Sequence, residues 1–285
     1  MKGGGAVSYF PLGGLKKNGK KKKEGGEKKM KKIFASIVLA AALILGGAGG
    51  LGLKDAQATP TTHIWSPSTD VQAYGVFHLT SDIYIPTKKP LEPLGGGRPG
   101  TITNIGLTTG VLPYEKVNLE VGFDHIEGTY PVYLNAKVGV PENAFGEYFP
   151  ALAVGGYSFG TKKDVTDYNI YYAKAAKTLG KAGRVSVGYY TGNDKLLLNE
   201  NGEKEESGIL LCWERTLSEI SDNLWVAVDY MGGDSNYGAL SYGFSWKFAP
   251  NTSVIFGYVD QNNDKINPGD TFTVQVDIDF NVFGK

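Results

Sequence analysis

Apolar and polar side chains alternate along most of the chain from Val71 onward. Between Thr271 and Val282, six apolar residues take every second position and polar residues stand between them. The segments 132–140 and 238–248 repeat this pattern. Successive side chains of a strand point to opposite faces, so alternation of this length predicts strands with one apolar and one polar face. No segment of the sequence shows a convincing amphipathic-helix pattern.

About twelve segments carry the alternation, and several approach the roughly 9–11 residues that a tilted strand needs to cross a bilayer. The predicted strands span residues 72–85, 102–112, 116–125, 131–140, 150–160, 168–178, 184–192, 207–216, 223–232, 237–248, 252–260 and 271–283. Turn-like connections lie at 113–115, 179–183, 217–222 and 249–251. Mostly longer polar loops lie between them, at 86–101, 161–167, 193–206 and 261–270. Short turns at one end, longer loops at the other and an even strand count are typical of a transmembrane β-barrel.

On this pattern, residues 71–283 resemble bacterial outer-membrane β-barrels of the small, porin-like class. The resemblance implies an all-β fold, a closed antiparallel transmembrane β-barrel of about twelve strands, in contact with outer-membrane lipid. Such barrels commonly end in an alternating strand that closes on an aromatic residue used in assembly. The segment from Phe272 to Val282 fits, but the chain ends at Lys285 and Phe283 is out of parity with Phe280.

The alternative is a secreted soluble β-sandwich or closed barrel, whose strands alternate equally well. A soluble barrel must place its apolar set inside. Aromatic residues as large as Tyr242, Phe244, Trp246, Phe248 and Phe256 would crowd that interior, whereas they suit a lipid-facing surface. The sequence therefore favours the membrane barrel. Aromatic residues near predicted strand ends fit girdles at the membrane edges: Phe149, Phe159, Tyr230, Tyr237, Phe248 and Phe272.

The one long apolar run, residues 33–53, follows two lysines and precedes Ala56-Gln57-Ala58. This order predicts a cleavable signal peptide over 30–58, cut after Ala58. An uncleaved anchor is the alternative, since 21 residues are long enough to span a membrane. Export together with a single cysteine points to the envelope of a Gram-negative bacterium.

Residues 1–29 match no targeting pattern. We interpret them either as a non-native upstream extension, with translation beginning at Met30, or as a disordered basic tail. Residues 59–70 then form an N-terminal segment, in which His63 is expected to be unstructured. Residues 71–285 form the β-barrel domain.

Charge is segregated along the chain. Residues 1–58 hold 12 lysines and 3 acids, so residues 59–285 carry 17 basic and 26 acidic residues. An acidic body argues against nucleic acid as a partner, because binding to phosphates needs clustered Lys and Arg. A mean hydropathy of −0.19 excludes a bundle of membrane helices. The single cysteine, Cys212, excludes an intramolecular disulfide and a multi-cysteine metal site.

Several charged residues fall on the polar face and are predicted to line the lumen. Bare charges are not stable in a dry core, so water, mutual pairing or a plug must accompany them. About eight strands enclose a filled interior and about 16–18 an open channel, so twelve allow a narrow pore. The predicted lining residues are the acids Glu120, Asp124, Glu214, Asp229, Asp277 and Asp279 and the bases Lys137 and Lys247.

The excess of acids predicts a narrow, cation-preferring diffusion channel for ions or small polar solutes. The alternative is a structural or adhesive outer-membrane barrel without an open pore, acting through loops 86–101 and 193–206. The oligomeric state is left open.

Enzymatic activity and cofactors are not expected. The three histidines, His63, His78 and His125, lie in no trustworthy Ser/His/acid arrangement. Neighbours in a strand point to opposite faces, so His125 and Asp124 do not naturally meet.

A metal site is not expected either. Asp260, Asn262 and Asp264 begin like a calcium loop, but Lys265 replaces the glycine at the sixth position and Thr271 the glutamate at the twelfth. We interpret this segment as a polar loop.

Overall fold

The structure is a computed structural model, and it describes residues 62–88, 100–266 and 269–281. These residues form a closed barrel of twelve antiparallel strands in which each strand pairs with its neighbours in sequence and β12 pairs with β1. The prediction of an all-β closed barrel is confirmed. The strands are β1 Val76–Pro86, β2 Ile102–Gly110, β3 Asn118–Ile126, β4 Val132–Val140, β5 Ala151–Gly160, β6 Asp167–Thr178, β7 Arg184–Thr191, β8 Ser207–Thr216, β9 Leu224–Met231, β10 Ala239–Ala249, β11 Thr252–Gln261 and β12 Thr271–Asn281.

Closure between the first and last strands is extensive. The β1–β12 ladder runs from Val76 opposite Asn281 to Pro86 opposite Thr271 without a shift in register. A closed barrel leaves no strand edge unpaired, so every strand has two neighbours. In the described residues, no helix is long and apolar enough to span a membrane.

The two faces of the barrel follow the predicted alternation. On β9, every second residue from Trp225 to Met231 is buried, and the residues between them are partly exposed. The aromatic residues of β10 point outward as predicted, with Tyr242, Phe244 and Phe248 exposed. Large apolar side chains are also exposed on other strands: Ile105, Phe123, Leu134, Val138, Val154, Val187 and Ile209.

The barrel has two different ends. We call the turn end the one that carries connections 111–117, 141–150, 179–183, 217–223 and 250–251. The loop end carries connections 87–101, 127–131, 161–166, 192–206, 232–238 and 262–270. The connection 127–131 is short for the loop end, and 141–150 is long for the turn end.

The chain before β1 folds back into the lumen. Residues 62–75, here called the inner segment, form a tight turn at 63–66 that is closed by a bridge between Thr62 and Pro67. The segment hydrogen-bonds to side chains of β3, β6, β7, β9 and β12, which lie around the barrel and can all be reached only from inside. It continues into β1 at the turn end, where Tyr74 pairs with Gly110.

Two expectations about the start of the mature chain need correction or restriction. His63 is 1% exposed, so the prediction that it lies in an unstructured segment is wrong. The first strand begins at Val76, and residues 72–75, which were predicted to be part of it, belong to the inner segment. Residues 1–29, the predicted signal peptide 30–58 and its cleavage site after Ala58 lie outside the described residues.

Candidate functional site: the barrel lumen

Asp229 holds the turn of the inner segment. This residue of β9 is 1% exposed. Its Oδ2 accepts hydrogen bonds from the backbone N–H groups of Ile64 at 2.8 Å and Trp65 at 3.2 Å, and its Oδ1 accepts one from Ser66 at 2.9 Å. Backbone donors satisfy a buried carboxylate well, because hydrogen bonds to a charged acceptor are the strong ones. The predicted lining residue Asp229 therefore faces the inner segment.

Lys174 on β6, three strands away from Asp229 in the barrel, holds the same turn. Its Nζ donates hydrogen bonds to the Pro67 carbonyl oxygen at 2.7 Å and to Ser66 Oγ at 3.2 Å, and it lies 3.3 Å from His63 Nδ1. Lys174 is 3% exposed. This buried ammonium group was not predicted as a lumen residue.

Glu214 on β8 joins the inner segment to the barrel wall. Its Oε1 lies 3.3 Å from His63 Nε2 and 3.4 Å from Arg184 Nη1, and its Oε2 accepts a hydrogen bond from Trp225 Nε1 at 3.1 Å. A histidine that accepts from Lys174 through Nδ1 carries its proton on Nε2, which then donates to Glu214. Glu214 is thus fully engaged inside the barrel.

Arg184 and Glu120 tie the segment down at the turn end. Arg184 Nη1 lies 2.7 Å from Asp70 Oδ2, and its Nη2 donates to Thr69 Oγ1 at 2.6 Å. Glu120 Oε2 accepts the backbone N–H of Gln72 at 2.8 Å, and Glu120 Oε1 lies 3.7 Å from Lys137 Nζ. Of the predicted lining residues, Glu120, Lys137, Glu214 and Asp229 therefore engage the inner segment or each other.

A second set of acids lies away from the inner segment's anchors. We call Asp82, Asp124, Asp277 and Asp279 the acidic wall; they stand on β1, β3 and β12. Asn104 Nδ2 donates to Asp82 Oδ2 and to Asp124 Oδ1, both at 3.1 Å, and so bridges two carboxylates. Asp82 was not among the predicted lining residues.

Neutral donors complete the contacts of Asp82 and Asp124. Thr80 Oγ1 donates to Asp82 Oδ1 at 2.6 Å, and Asn135 Nδ2 donates to Asp124 Oδ2 at 2.9 Å. Neither carboxylate forms an ion pair with a described residue. A Cβ on Gly106 would lie 2.7 Å from Asp124 Oδ1, so the Asp124 carboxylate rests directly over the bare glycine of β2.

His78 is the cationic partner of the other two acids. Its Nδ1 lies 2.8 Å from Asp279 Oδ1 and its Nε2 lies 3.2 Å from Asp277 Oδ1. The Oδ2 atom of Asp277 has no hydrogen-bond partner within the described part of the chain. Asp279 is more open, with 46% of its side chain exposed. Lys247, half-buried, lies on the inward parity of β10 close to the turn end.

A cavity of about 340 Å³ lies between the acidic wall and the tip of the inner segment. Aromatic residues also line it, and we call the following set the aromatic wall: Trp65, Tyr84, Tyr157, Tyr168 and Tyr237. The Trp65 ring centroid lies 5.5 Å from that of Tyr84 and 6.4 Å from that of Tyr237. The ring centroids of Tyr168 and Tyr237 lie 5.4 Å apart. The prediction that Tyr237 belongs to an outer girdle is therefore wrong.

The polar loop at 260–264 lies at the loop end. Carboxylate oxygens of Asp260, Asp264 and Asp270 lie within 4.8 Å of one another. Lys88 Nζ contacts both Asp264 and Asp270, and the hydrogen bond to Asp270 raises the pKa of Lys88. The exposed ammonium group of Lys88 thus offsets part of the negative charge of this cluster.

Comparison with known proteins gives structural similarity only. No protein-family model and no curated protein matches the chain. An outer membrane channel from Pseudomonas putida F1 aligns with a TM-score of 0.43 and 12% identity over 81% of this chain and 99% of its own. The NanC porin aligns with a TM-score of 0.43 and 7% identity over 72% of this chain and 98% of its own. The function is therefore proposed from the side chains of this chain.

Proposed function

We propose that the barrel spans an outer membrane and forms a narrow, cation-preferring diffusion channel for ions or small polar solutes. The observation that carries the proposal is the contrast between the two faces of one closed sheet. Its outer face exposes large apolar side chains, and its inner face carries buried charges and a polar cavity. A soluble barrel would place these sets the other way round.

The acidic wall supports the cation preference. Asp82 and Asp124 receive only amide and hydroxyl donors, so their negative charge acts on whatever enters the cavity. His78 is shared by Asp277 and Asp279 and offsets at most one of their two charges. Fields are strong in narrow spaces with low-dielectric walls, so this excess attracts cations and repels anions.

The inner segment supports the narrowness. Its tip is bound by Lys174, Glu214 and Asp229 on β6, β8 and β9. The cavity beside the tip is lined by residues of β1–β6, β11 and β12, among them Asp82, Asp124 and Asp277 of the acidic wall. Solutes that cross the barrel with the inner segment in place would therefore pass along the acidic wall.

Planar-bilayer recording tests the proposal. The chain, purified from membranes and reconstituted, should give discrete conductance steps. Neutralising the wall in the double variant Asp82→Asn and Asp124→Asn should lower the preference for potassium over chloride. Asp194→Asn, an exposed loop acid paired with Lys204, is the matched control and should leave selectivity unchanged. Equal selectivity in the wall variant and the parent would contradict the assignment of these acids.

The inner segment also favours a second candidate, a structural barrel that is closed at all times. Its polar backbone is satisfied by buried side chains, as expected of a permanent plug. Protein that demonstrably inserts into bilayers but never conducts would favour this alternative. The adhesive form of this alternative would act through loops 86–101 and 193–206, and residues 89–99 of the first loop lie outside the described part of the chain.

A further inference from the structure

The cavity is lined by both carboxylates and aromatic rings. Asp82, Asp124 and Asp277 are among the carboxylates, and Trp65 and Tyr237 are among the aromatic residues. Its volume of about 340 Å³ lies in the range of small-molecule sites, which start near 300 Å³. This combination of groups matters because carboxylates attract a positively charged group, and aromatic rings contact the alkyl groups that such a ligand carries.

The carboxylate side has unused capacity. Asp277 is 6% exposed, yet its Oδ2 has no hydrogen-bond partner among the described residues. Asp82 and Asp124 each accept one hydrogen bond from the Asn104 amide, and their other donors, the Thr80 hydroxyl and the Asn135 amide, are neutral as well. An added positive charge stabilises the ionised form of buried carboxylates that lie close together and have only neutral hydrogen-bond donors.

The two cationic side chains that also line the cavity are already engaged. His78 is bound between Asp277 and Asp279. Lys137 lies 3.7 Å from Glu120. Carboxylates therefore outnumber internal cations around the cavity, and an anionic ligand would meet repulsion there.

The aromatic side selects among cations. Trp65, Tyr84 and Tyr237 pack edge-on or tilted against one another rather than in a parallel stack. Trp and Tyr rings attract cations over their faces, most of all weakly hydrated ammonium groups. A small inorganic cation keeps its water shell and gains little from such rings.

We propose that this cavity is a binding site for an organic ammonium compound, with the cationic head near the carboxylates of the acidic wall and its alkyl substituents in contact with the rings of the aromatic wall. The inference rests on the proposed channel function, since it names the solute class that the acidic lumen would carry. Asp82 and Asp124 supply the charge, and Trp65 at the tip of the inner segment supplies an aromatic surface.

The test compares choline with 3,3-dimethyl-1-butanol, in which a neutral carbon replaces the charged nitrogen. The two compounds have nearly the same shape and differ in charge. Isothermal titration calorimetry on the full chain in detergent should show choline binding at least about tenfold more tightly. The Asp82→Asn and Asp124→Asn double variant should lose that preference, and the loop control Asp194→Asn should keep it. Trp65→Leu should weaken choline binding as well.

The outcomes separate the site from the channel. Equal binding of choline and dimethylbutanol by the parent chain overturns the site, and this comparison needs no variant to fold. Choline preference that survives in the double variant also overturns it. Cation-selective conductance without a preference for choline would support the channel and contradict the ammonium-binding site. Choline preference in a protein that inserts but never conducts leaves the site and removes the channel.

Discussion

The carboxylate of Asp229 accepts the backbone N–H of Ile64 at 2.8 Å, across 165 positions of sequence. This contact joins the tip of the inner segment to the inner wall of the barrel. Asp229 therefore anchors the segment, because its carboxylate accepts hydrogen bonds from three backbone N–H groups of the turn. The cavity beside the segment lies along the acidic wall.

Removing this anchor should loosen the inner segment. Asp229→Ala leaves three buried N–H groups without their acceptor, and hydrogen bonds to charged groups contribute about 1.5–3 kcal/mol. We expect larger and noisier conductance steps with the β-sheet circular dichroism unchanged. Asp222→Ala, in an exposed turn, is the control. Identical step sizes in Asp229→Ala and the parent would show that the segment does not limit conduction.

A steric variant should act on the same segment without changing a charge. A Cβ on Gly257 would lie 2.8 Å from Ile64 Cγ2, so the tip packs on a bare stretch of β11. Gly257→Val should push Ile64 away and raise single-channel conductance. Gly100→Val, where a Cβ meets nothing within 4 Å, should have no effect. Equal conductance of the Gly257→Val and Gly100→Val variants would contradict this prediction, because it would mean that the tip of the inner segment has not moved.

Gly106 offers an indirect test of the acidic wall. A side chain there would lie 2.7 Å from both Asp124 Oδ1 and Thr80 Cγ2. Gly106→Ala should therefore move the Asp124 carboxylate off Asn104 and reduce the preference for cations, although no charge is removed. The ratio of potassium to chloride permeability is the readout. An unchanged ratio would mean that the position of Asp124 does not matter for selectivity.

The outer face should respond as a lipid-facing surface. Val187 on β7 is 59% exposed, near the middle of its strand. If it faces hydrocarbon, Val187→Arg should cost about 2–4 kcal/mol of folding free energy in lipid. Urea titration of the barrel folded into lipid vesicles measures the loss, with Val187→Leu as the control. A soluble barrel would tolerate arginine at so exposed a site, so equal stability of the two variants would contradict the membrane assignment.

The acids on β12 should contribute to selectivity together. The double variant Asp277→Asn and Asp279→Asn leaves His78 without a carboxylate partner, so a net negative site becomes neutral or positive. We expect a reversal potential closer to the chloride limit across a salt gradient. Selectivity equal to that of the parent would exclude these two acids from the conducting path.

The strands were predictable because their signal is local. Alternation with a period of two residues places each side chain on a face from its neighbours alone, and all twelve predicted strands lie within four residues of the observed bounds. The inward acids Glu120, Asp124 and Asp277 followed from the same parity. Asp82 follows the same rule, since Leu79 and Ile83 mark the outer face of its strand and Asp82 has the opposite parity.

The inner segment was not predictable in the same way. Residues 62–70 show no alternation, and the barrel side chains that bind the inner segment lie 48–211 positions from their partners in it, so no local pattern predicts these contacts. Lys174 was hidden for a different reason. On β6, Tyr172 faces inward and Tyr171 outward, so both faces carry aromatic residues and parity does not reveal which is which.

The reversal potential of the reconstituted parent chain across a potassium chloride gradient tests the central claim most directly. If ions pass along the acidic wall, the current should show discrete steps, and the reversal potential should be displaced toward the potassium limit. Steps with a displacement toward the chloride limit would contradict the cation preference. A chain that stays soluble without detergent would contradict the membrane barrel itself.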